Sequence, residues 1–364
     1  MARKDAATKG SNVAAKGHAP GHDGVLDVTV VLFEGGYAST AIAPVEVFQS
    51  AGLLWNSLRG NPPQPRFRVR TASLDGAPVR SACSIGLVPD CSIKDIERTD
   101  LVVIAASGQD FDLSIARDSA LVPWVKKMYD GGAYLASVCT GVVFLAECGL
   151  LDGRQATTHW AVADLLRERY PRVRWRPDQF VTEDGRLFCS GGVYAAVDLS
   201  LYLVEKFCGH ELALQCAKSL LVSMPRSLQS GYAVALLARP HGDDRVKKAE
   251  EYMQRHFEGD VTIETLADQL GMSPRNFVRR FKAATGRLPN AYLQMLRIAA
   301  AKEMLEGGRL PVQNICETIG YENVAFFRDV FKRHTGMTPA EYRSSFAPLR
   351  MGRGELVAGM HSND

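Results

Sequence analysis

The hydrophobic pattern of residues 25 to 208 alternates between short apolar runs and longer segments with helical spacing. Runs rich in β-branched and aliphatic residues predict buried strands, because such residues suit a pleated, half-buried surface. The predicted strands are "VLDVTVVLF" (25 to 33), "FRVRTAS" (67 to 73), "LVVIAAS" (101 to 107) and "AYLASV" (133 to 138), and the predicted helices cover residues 41 to 58 and 120 to 130. This alternation indicates an α/β domain whose mainly parallel sheet has helices on both faces and a pocket at the carboxyl ends of its strands.

From Arg245 onward the pattern predicts helices alone. Gly, Pro and capping residues separate segments of apolar periodicity, as is typical of helix ends. We expect an all-α domain over residues 245 to 346, with helices at 245 to 257, 263 to 270, 274 to 284, 290 to 306, 312 to 319, 324 to 334 and 339 to 346.

The segment between these two parts, "MPRSLQSGYAVALLARPHGDD" (224 to 244), has turn-forming residues at both ends and is the predicted linker. The first domain then covers residues 25 to 223. Residues 1 to 24 are small, polar and free of an apolar signal region, so we expect a disordered tail there, and residues 347 to 364 are expected to form a flexible tail.

The helical part contains an internal repeat. Residues 270 to 293 align with residues 319 to 343 after one insertion, and beyond it the offset is 50, so that Phe277 matches Phe327 and Phe281 matches Phe331. Each copy reads as a helix, a turn that opens with a glycine, and a second helix. This is the pattern of a helix-turn-helix motif, and the chain is predicted to hold two.

The second helix of the first copy carries a cationic face opposite its buried phenylalanines. On a lone helix such a face is often only solvated, but the second helix of a helix-turn-helix enters the major groove of DNA. Arginine suits guanine, asparagine suits adenine, and cations suit phosphates. The predicted DNA contacts of this copy are Arg275 or Arg279 to guanine, Asn276 to adenine, and Arg280 and Lys282 to phosphates.

The second copy has fewer hydrogen-bonding side chains on its outward face. Ala325 suits a thymine methyl group. The predicted contacts of this copy are Ala325, Arg328, Lys332 and Arg333. The two motifs, joined by the helix at 290 to 306, are expected to reach adjacent major grooves about 34 Å apart.

The charge and the cysteine content limit the classes of protein to which this chain can belong. The net charge is +3, and residues 239 to 350 hold 18 Lys and Arg against 14 Asp and Glu, which is compatible with a polyanionic partner. The eight cysteines include no C-x-x-C pair, so neither a zinc site nor a secreted disulfide framework is expected. No apolar run reaches the ~18 residues of a membrane span. We expect a cytoplasmic protein without metal, cofactor or membrane contact.

One stretch has the pattern of a catalytic elbow. In "YLASVCTGVVFLAECG" (134 to 149) a buried strand breaks into a helix at Cys139, with the small residues Ser137 and Gly141 two positions away on either side. The helix would favour a thiolate at this cysteine. His159 in "ATTHW" is a candidate partner, and the backbone N–H groups of Ser107 and Gly108 are candidates for an anion-binding site. A buried cysteine that only fills the core is the alternative.

Two resemblances connect these patterns with known families. "FFRDVFKRHTGMTPAEYR" resembles the signature of the AraC/XylS transcription regulators, and residues 245 to 346 are similar to their whole DNA-binding domain. "SVCTG" and "ATTHW" resemble segments of the ThiJ/PfpI superfamily, which implies a class I glutamine amidotransferase-like, flavodoxin-like parallel sheet sandwiched by helices. The fusion looks like the GlxA-type subgroup. By that likeness Cys139 is the elbow cysteine, His159 the nearby histidine, and Glu46 the acidic residue that faces the sulfur.

The chain departs from the enzymes of that superfamily. Thr140 follows the elbow cysteine where the intracellular proteases have histidine. Thr40 stands where isocyanide hydratases have their catalytic aspartate, and Ala43-Pro44 replaces their Gly-Pro. Without that carboxylate no evident group remains for the hydratase's proton transfers, so no catalytic residue is expected.

The resemblance implies a transcription regulator, with activation of transcription as the expected effect. Its first domain would bind a small effector, nitrogenous or amino-acid-like, and form a homodimer, while the DNA-bound protein would contact RNA polymerase. The predicted effector pocket consists of Glu46, Ser107, Gly108, Cys139, Thr140 and His159. Two alternatives remain at this stage: an enzyme with Cys139 as nucleophile, and a regulator that senses oxidants through this thiol.

Overall fold

The computed structural model describes residues 24 to 347, except 109, 225, 227, 234 to 240 and 309. The chain divides into two compact units, Met1–Gln229 and Ser230–Asp364. This division falls inside the predicted linker. The tail predicted at residues 1 to 24 lies outside the described residues up to residue 23, and the tail predicted at 347 to 364 lies outside them from residue 348.

The first unit contains eleven strands and eight α-helices among its described residues. The strands are β1 (Leu26–Val31), β2 (Phe67–Ser73), β3 (Val79–Arg80), β4 (Gly86–Leu87), β5 (Cys91–Ser92), β6 (Leu101–Ile104), β7 (Tyr134–Val138), β8 (Gln155–Ala156), β9 (Arg174–Trp175), β10 (Val181–Asp184) and β11 (Leu187–Ser190). The helices are α1 (Ser39–Ser50), α2 (Leu54–Leu58), α3 (Phe111–Arg117), α4 (Leu121–Asp130), α5 (Val142–Glu147), α6 (Ala163–Arg169), α7 (Ala195–Cys208) and α8 (His210–Leu220).

The main sheet of this unit has seven strands in the order β10-β11-β7-β6-β1-β2-β5. All neighbouring strands are parallel except the β10–β11 hairpin at one edge. The order β2-β1-β6-β7-β11 is that of a flavodoxin-like sheet, which confirms the predicted fold. The strand order reverses between β1 and β6, and this is where sheets of this class bind ligands.

Helices cover both faces of the sheet. Helices α1, α7 and α8 pack on one another, and α5 packs on α3 and α4. Every residue of β6 and β11 is buried, as expected for strands covered on both sides. The helix predicted over residues 41 to 58 is two helices, because the chain turns at Gly52, whose φ of +78° does not fit a helix. The edge hairpin was not predicted.

The second unit contains seven helices among its described residues. They are α9 (Asp244–His256), α10 (Ile263–Gln269), α11 (Pro274–Thr285), α12 (Pro289–Glu306), α13 (Val312–Thr318), α14 (Val324–Thr335) and α15 (Pro339–Phe346). Each end lies within one residue of the sequence prediction, and the two helix-turn-helix motifs, α10–α11 and α13–α14, are confirmed. Within the described ranges, no helix is long and apolar enough to cross a membrane.

The internal repeat builds two similar cores in this unit. In the first, Phe281 lies 5.5 Å from Phe277 and 5.4 Å from Tyr292, centroid to centroid. In the second, Phe331 lies 5.7 Å from Phe327 and 5.4 Å from Tyr342. Buried edge-to-face aromatic pairs are worth about 0.5–1.5 kcal/mol beyond their hydrophobic burial. The repeat therefore gives α11 and α14 the same orientation, each within its own motif.

Candidate DNA-binding surface and ligand site

The elbow predicted at Cys139 is present. Strand β7 ends at Val138, Cys139 has a φ of +55°, a single 3₁₀ turn covers Cys139–Gly141, and α5 begins at Val142. A non-glycine residue in this region costs of order 1–3 kcal/mol, and it persists only where the surrounding structure holds it. The strained turn places Cys139 at the carboxyl end of the sheet.

Just after the adjacent strand β6, two threonine hydroxyls accept hydrogen bonds from backbone N–H groups. Thr40 Oγ1 accepts a hydrogen bond from the Ala106 N–H at 3.1 Å, and Thr140 Oγ1 accepts one from the Ser107 N–H at 3.1 Å. The Ser107 N–H is therefore already bonded, which corrects the expectation that it is open to an anion. The Ser107 hydroxyl is buried and has no recorded hydrogen-bond partner among the described residues. Gly108 follows with a φ of +103°.

The sulfur of Cys139 is buried and protonated. The N–H groups of Thr140 and His159 and the Thr140 hydroxyl bond to it, but burial outweighs them and raises the pKa of the Cys139 thiol to about 11. Cys139 as a whole is 6% exposed. The expectation of a thiolate favoured by the helix is therefore wrong, because α5 begins three residues later and desolvation dominates.

The backbone N–H of His159 donates a hydrogen bond to the sulfur of Cys139. Its ring Nδ1 accepts a hydrogen bond from the Ala161 N–H at 3.1 Å, so it caps the next turn, and the ring proton of the neutral form is on Nε2. Burial lowers the pKa of His159, which favours the neutral ring. The ring also lies 5.2 Å from that of Trp160, centroid to centroid. These contacts orient the imidazole for capping.

Glu46 and Thr40 lie on different faces of α1. Thr40 is fully buried on α1, whereas Glu46 is exposed on the same helix. Six residues turn an α-helix by about 600°, so the two side chains point roughly 120° apart. The expectation that Glu46 faces the sulfur is corrected accordingly, since Thr40 occupies the helix position next to the elbow and β6.

Gln229 is a site residue that the sequence did not reveal. The Thr158 hydroxyl donates to the Cys139 carbonyl at 3.1 Å, and Gln229 Nε2 donates to the Thr158 carbonyl at 2.8 Å and to the Gln179 carbonyl at 3.0 Å. Gln229 is 2% exposed. A glutamine inside a predicted linker gives no local signal of burial.

We expect Cys139 to react slowly with iodoacetamide at pH 7.5, because the thiol is buried and its pKa is raised to about 11. The thiolate fraction rises about tenfold per pH unit below the pKa, so the rate should climb steeply between pH 7.5 and pH 10. Mass spectrometry of the alkylated peptides measures this rate. Exposed Cys83 is the internal control. Equal rates for the two thiols at neutral pH would instead indicate an activated nucleophile.

The first recognition helix, α11, presents most of its predicted contacts to solvent. Arg275, Arg279 and Lys282 are exposed. Asn276 is half-buried, and its Oδ1 accepts a hydrogen bond from Arg279 at 2.9 Å. Ser273 caps the helix by accepting from the Asn276 N–H. The guanidinium groups and the amide thus lie on one accessible face near the start of the helix.

Arg280 forms an ion pair with another residue of the same unit. Its guanidinium makes two hydrogen bonds of 2.9 Å to the Asp243 carboxylate, which also caps α9. These bonds keep the pKa of Asp243 below its usual value. The repeat explains the direction of this side chain, because the equivalent residue of the second motif, Val330, is fully buried. Arg280 is therefore paired with Asp243 while 37% of its side chain stays exposed, and its phosphate contact stays a prediction.

The second recognition helix, α14, also exposes its predicted contacts. Ala325, Arg328, Lys332 and Arg333 are exposed. The Asn323 side chain caps the helix by accepting from the Phe326 N–H at 2.9 Å. Phe326 itself is 52% exposed, and this outward aromatic residue was missed because phenylalanines at helical spacing usually mark a core.

Comparison with known proteins agrees with both parts of the chain. The DJ-1/PfpI family model matches residues 27–206, and a helix-turn-helix domain model of AraC type matches residues 266–345.

Three relatives illustrate the similarity. The HTH-type transcriptional regulator CdhR of Pseudomonas aeruginosa is 28% identical over 280 residues, which cover 76% of this chain and 82% of CdhR. The HTH-type transcriptional regulator GlxA of Rhizobium meliloti is 27% identical over 285 residues, which cover 77% of this chain and 86% of GlxA. An isonitrile hydratase of Pseudomonas putida is 31% identical over 150 residues, covering 41% of this chain and 63% of the enzyme. The chain therefore belongs to the AraC-type helix-turn-helix regulators that carry an amino-terminal DJ-1/PfpI domain.

Proposed function

We propose that this protein regulates transcription by binding a specific DNA sequence through both helix-turn-helix motifs, under the control of a small molecule bound in the DJ-1/PfpI domain. The observation that carries the proposal is the pair of capped recognition helices, whose outward residues include Arg275, Arg279 and Lys332. Cations and hydrogen-bond donors at these positions suit phosphates and guanine edges. Such a protein acts in the cytoplasm and contacts RNA polymerase when it activates a promoter.

The effector site lies at the carboxyl ends of β1, β6 and β7, beside the strand-order reversal. Ser107 supplies a buried hydroxyl, and Gly108, Cys139, Thr140 and His159 complete the surroundings. The neutral hydrogen-bonding groups at this position suit a small nitrogenous or amino-acid-like metabolite. The effector must bind two arrangements of the protein with different affinity, since otherwise it shifts no equilibrium. Dimerisation through this domain would present two pairs of motifs to DNA.

The DJ-1/PfpI domain performs no catalysis in this proposal. A nucleophilic cysteine needs an adjacent base or a lowered pKa, and here the pKa of the Cys139 thiol is raised while His159 Nδ1 caps a turn. Thr40 adds a hydroxyl where a hydratase has a carboxylate. The relationship to an isonitrile hydratase therefore supports a shared fold, and the residues of this chain favour binding over turnover.

Two measurements on the full chain test the proposal. Selection from random duplex DNA should recover a preferred sequence that spans two adjacent major-groove segments. Thermal unfolding in the presence of a panel of amino-acid-like and nitrogenous metabolites should identify an effector, because a ligand at about 100 times its Kd adds roughly 2.7 kcal/mol of stability. Cys139→Ala should keep its DNA affinity. Failure to recover any preferred sequence, or turnover of an amide or nitrile by the wild type, would contradict the proposal.

A further inference from the structure

The two recognition helices carry opposite chemistry at equivalent positions. At the offset of 50, Arg275, Asn276 and Arg279 of α11 correspond to Ala325, Phe326 and Asp329 of α14. Two guanidinium groups and an amide in the first motif are thus replaced by a methyl group, an aromatic ring and a carboxylate in the second.

The equivalence holds in three dimensions as well as in sequence. Both helices have 12 residues, both have a side-chain cap at the preceding residue, and both end at a glycine in the left-handed region. The phenylalanine pair of each helix is buried in the same way. The residues that follow the cap therefore face outward in the same directions, and the two trios occupy the same place on their motifs.

The second trio is accessible. Ala325 and Asp329 are exposed, and Phe326 is 52% exposed, with its ring 5.9 Å from that of Tyr321. Among the described residues Asp329 has no recorded ion pair, in contrast to Asp243, which is bonded to Arg280. These residues stand at the positions from which a recognition helix contacts base edges.

Their chemistry selects particular bases. A carboxylate accepts a hydrogen bond from the cytosine N4 amino group, whereas guanine offers it only the N7 and O6 acceptors in the major groove. Apolar groups match the thymine 5-methyl group, which adenine, guanine and cytosine lack. Arg328, Lys332 and Arg333 are exposed on the same helix and supply the positive charge that binds the phosphates beside this acidic residue.

We infer that the second motif selects pyrimidines, with Phe326 and Ala325 on a thymine methyl group and Asp329 on a cytosine amino group, while the first motif selects purines. This inference rests on the proposed function and specifies its DNA target. The preferred site then has two halves with different composition on the strand that the protein reads, so its two halves are not copies of each other.

The test uses the full chain and the DNA sequence recovered by selection with the wild type. Each thymine is replaced in turn by deoxyuridine, which removes only the 5-methyl group. At least one replacement in the half read by α14 should weaken binding about fourfold, the equivalent of ~0.8 kcal/mol for a buried methyl-sized group. In Phe326→Ala the difference between the thymine and deoxyuridine sites should shrink, because only Ala325 then remains to contact the methyl group.

The variant Asp329→Asn provides a second test of the inference. Asparagine bonds to adenine N6 and N7, so this variant should change the preferred base at one position from cytosine to adenine. Arg333→Ala is the matched control, since a lost phosphate contact weakens all sequences alike and leaves the methyl effect unchanged.

The outcomes separate this inference from the proposed function. If no preferred sequence is recovered, the proposed function fails. If a sequence is recovered but no deoxyuridine replacement in the half read by α14 changes the affinity, or Asp329→Asn keeps the cytosine preference, the inference is overturned and the function stands. The deoxyuridine measurement needs only the wild type, so it decides the matter even if Phe326→Ala folds poorly.

Discussion

Arg279→Ala is expected to weaken binding to the preferred DNA sequence by about 1 to 3 kcal/mol, the value of a bidentate contact to a base pair. Arg279 is exposed on α11, and its bond to Asn276 Oδ1 holds the guanidinium on the outward face of the helix. The loss should concentrate on one guanine position, where the variant should tolerate other bases. Fluorescence anisotropy at a single fixed salt concentration measures it for the preferred and for scrambled duplexes.

Arg280→Ala is the matched control for this prediction. Its guanidinium is paired with Asp243, so the base preference should be retained, and any loss should appear in the stability of the second unit. An equal loss of affinity for preferred and scrambled DNA in Arg279→Ala would show that this residue contacts phosphate only. A change of base preference in Arg280→Ala would contradict the assignment of the reading face.

Gly141→Ala should destabilise the first unit by about 3 kcal/mol, the upper end of the usual effect of overpacking. A methyl group on Gly141 would lie 2.4 Å from the Ala105 carbonyl oxygen and 2.5 Å from the Ile104 carbonyl oxygen. Both atoms belong to the backbone of β6 or its end, so they cannot move aside without disturbing the sheet. All four tryptophans lie within residues 55 to 175, so denaturant unfolding followed by tryptophan fluorescence reports on this unit.

Gly86→Ala is the control for that variant. A methyl group on Gly86 meets no atom within 4 Å, and its φ is not positive, so the unfolding midpoint should change little. A stable Gly141→Ala would mean that the elbow relaxes away from β6. In that case Cys139 would become more exposed, and its alkylation rate should rise.

The helical half of the chain could be predicted almost completely from the sequence, because its signals are local. Caps such as Ser273 and Thr338, the glycines after α11 and α14, and the spacing of buried aromatic residues fix helix ends within a few residues. Four strands of the main sheet, β1, β2, β6 and β7, were equally evident as apolar runs. The edge hairpin and the break at Gly52 escaped prediction, since tertiary pairing and a single backbone angle decide them.

The candidate site was predicted less well, because its details depend on long-range contacts. The elbow at Cys139 has a sequence signature, but the state of its thiol follows from burial that no local pattern records. The side of α1 that faces the sheet distinguishes Thr40 from Glu46, and a partner 37 residues away, Asp243, binds the guanidinium of Arg280. Sequence spacing identified the right segments, and packing decided which side chain of each one acts.

The bonds of Arg226 and Gln229 determine where the sheet domain can be separated from the rest of the chain. The Asp198 carboxylate, with 6% of its side chain exposed, accepts from both the backbone and the guanidinium of Arg226. A truncation at residue 223 would leave that carboxylate buried without these donors and would deprive the Thr158 and Gln179 carbonyls of Gln229. Unsatisfied buried groups cost about 1–3 kcal/mol each, and more when they are charged. An excised sheet domain should therefore extend at least to Gln229, nine residues past the end of α8 at Leu220.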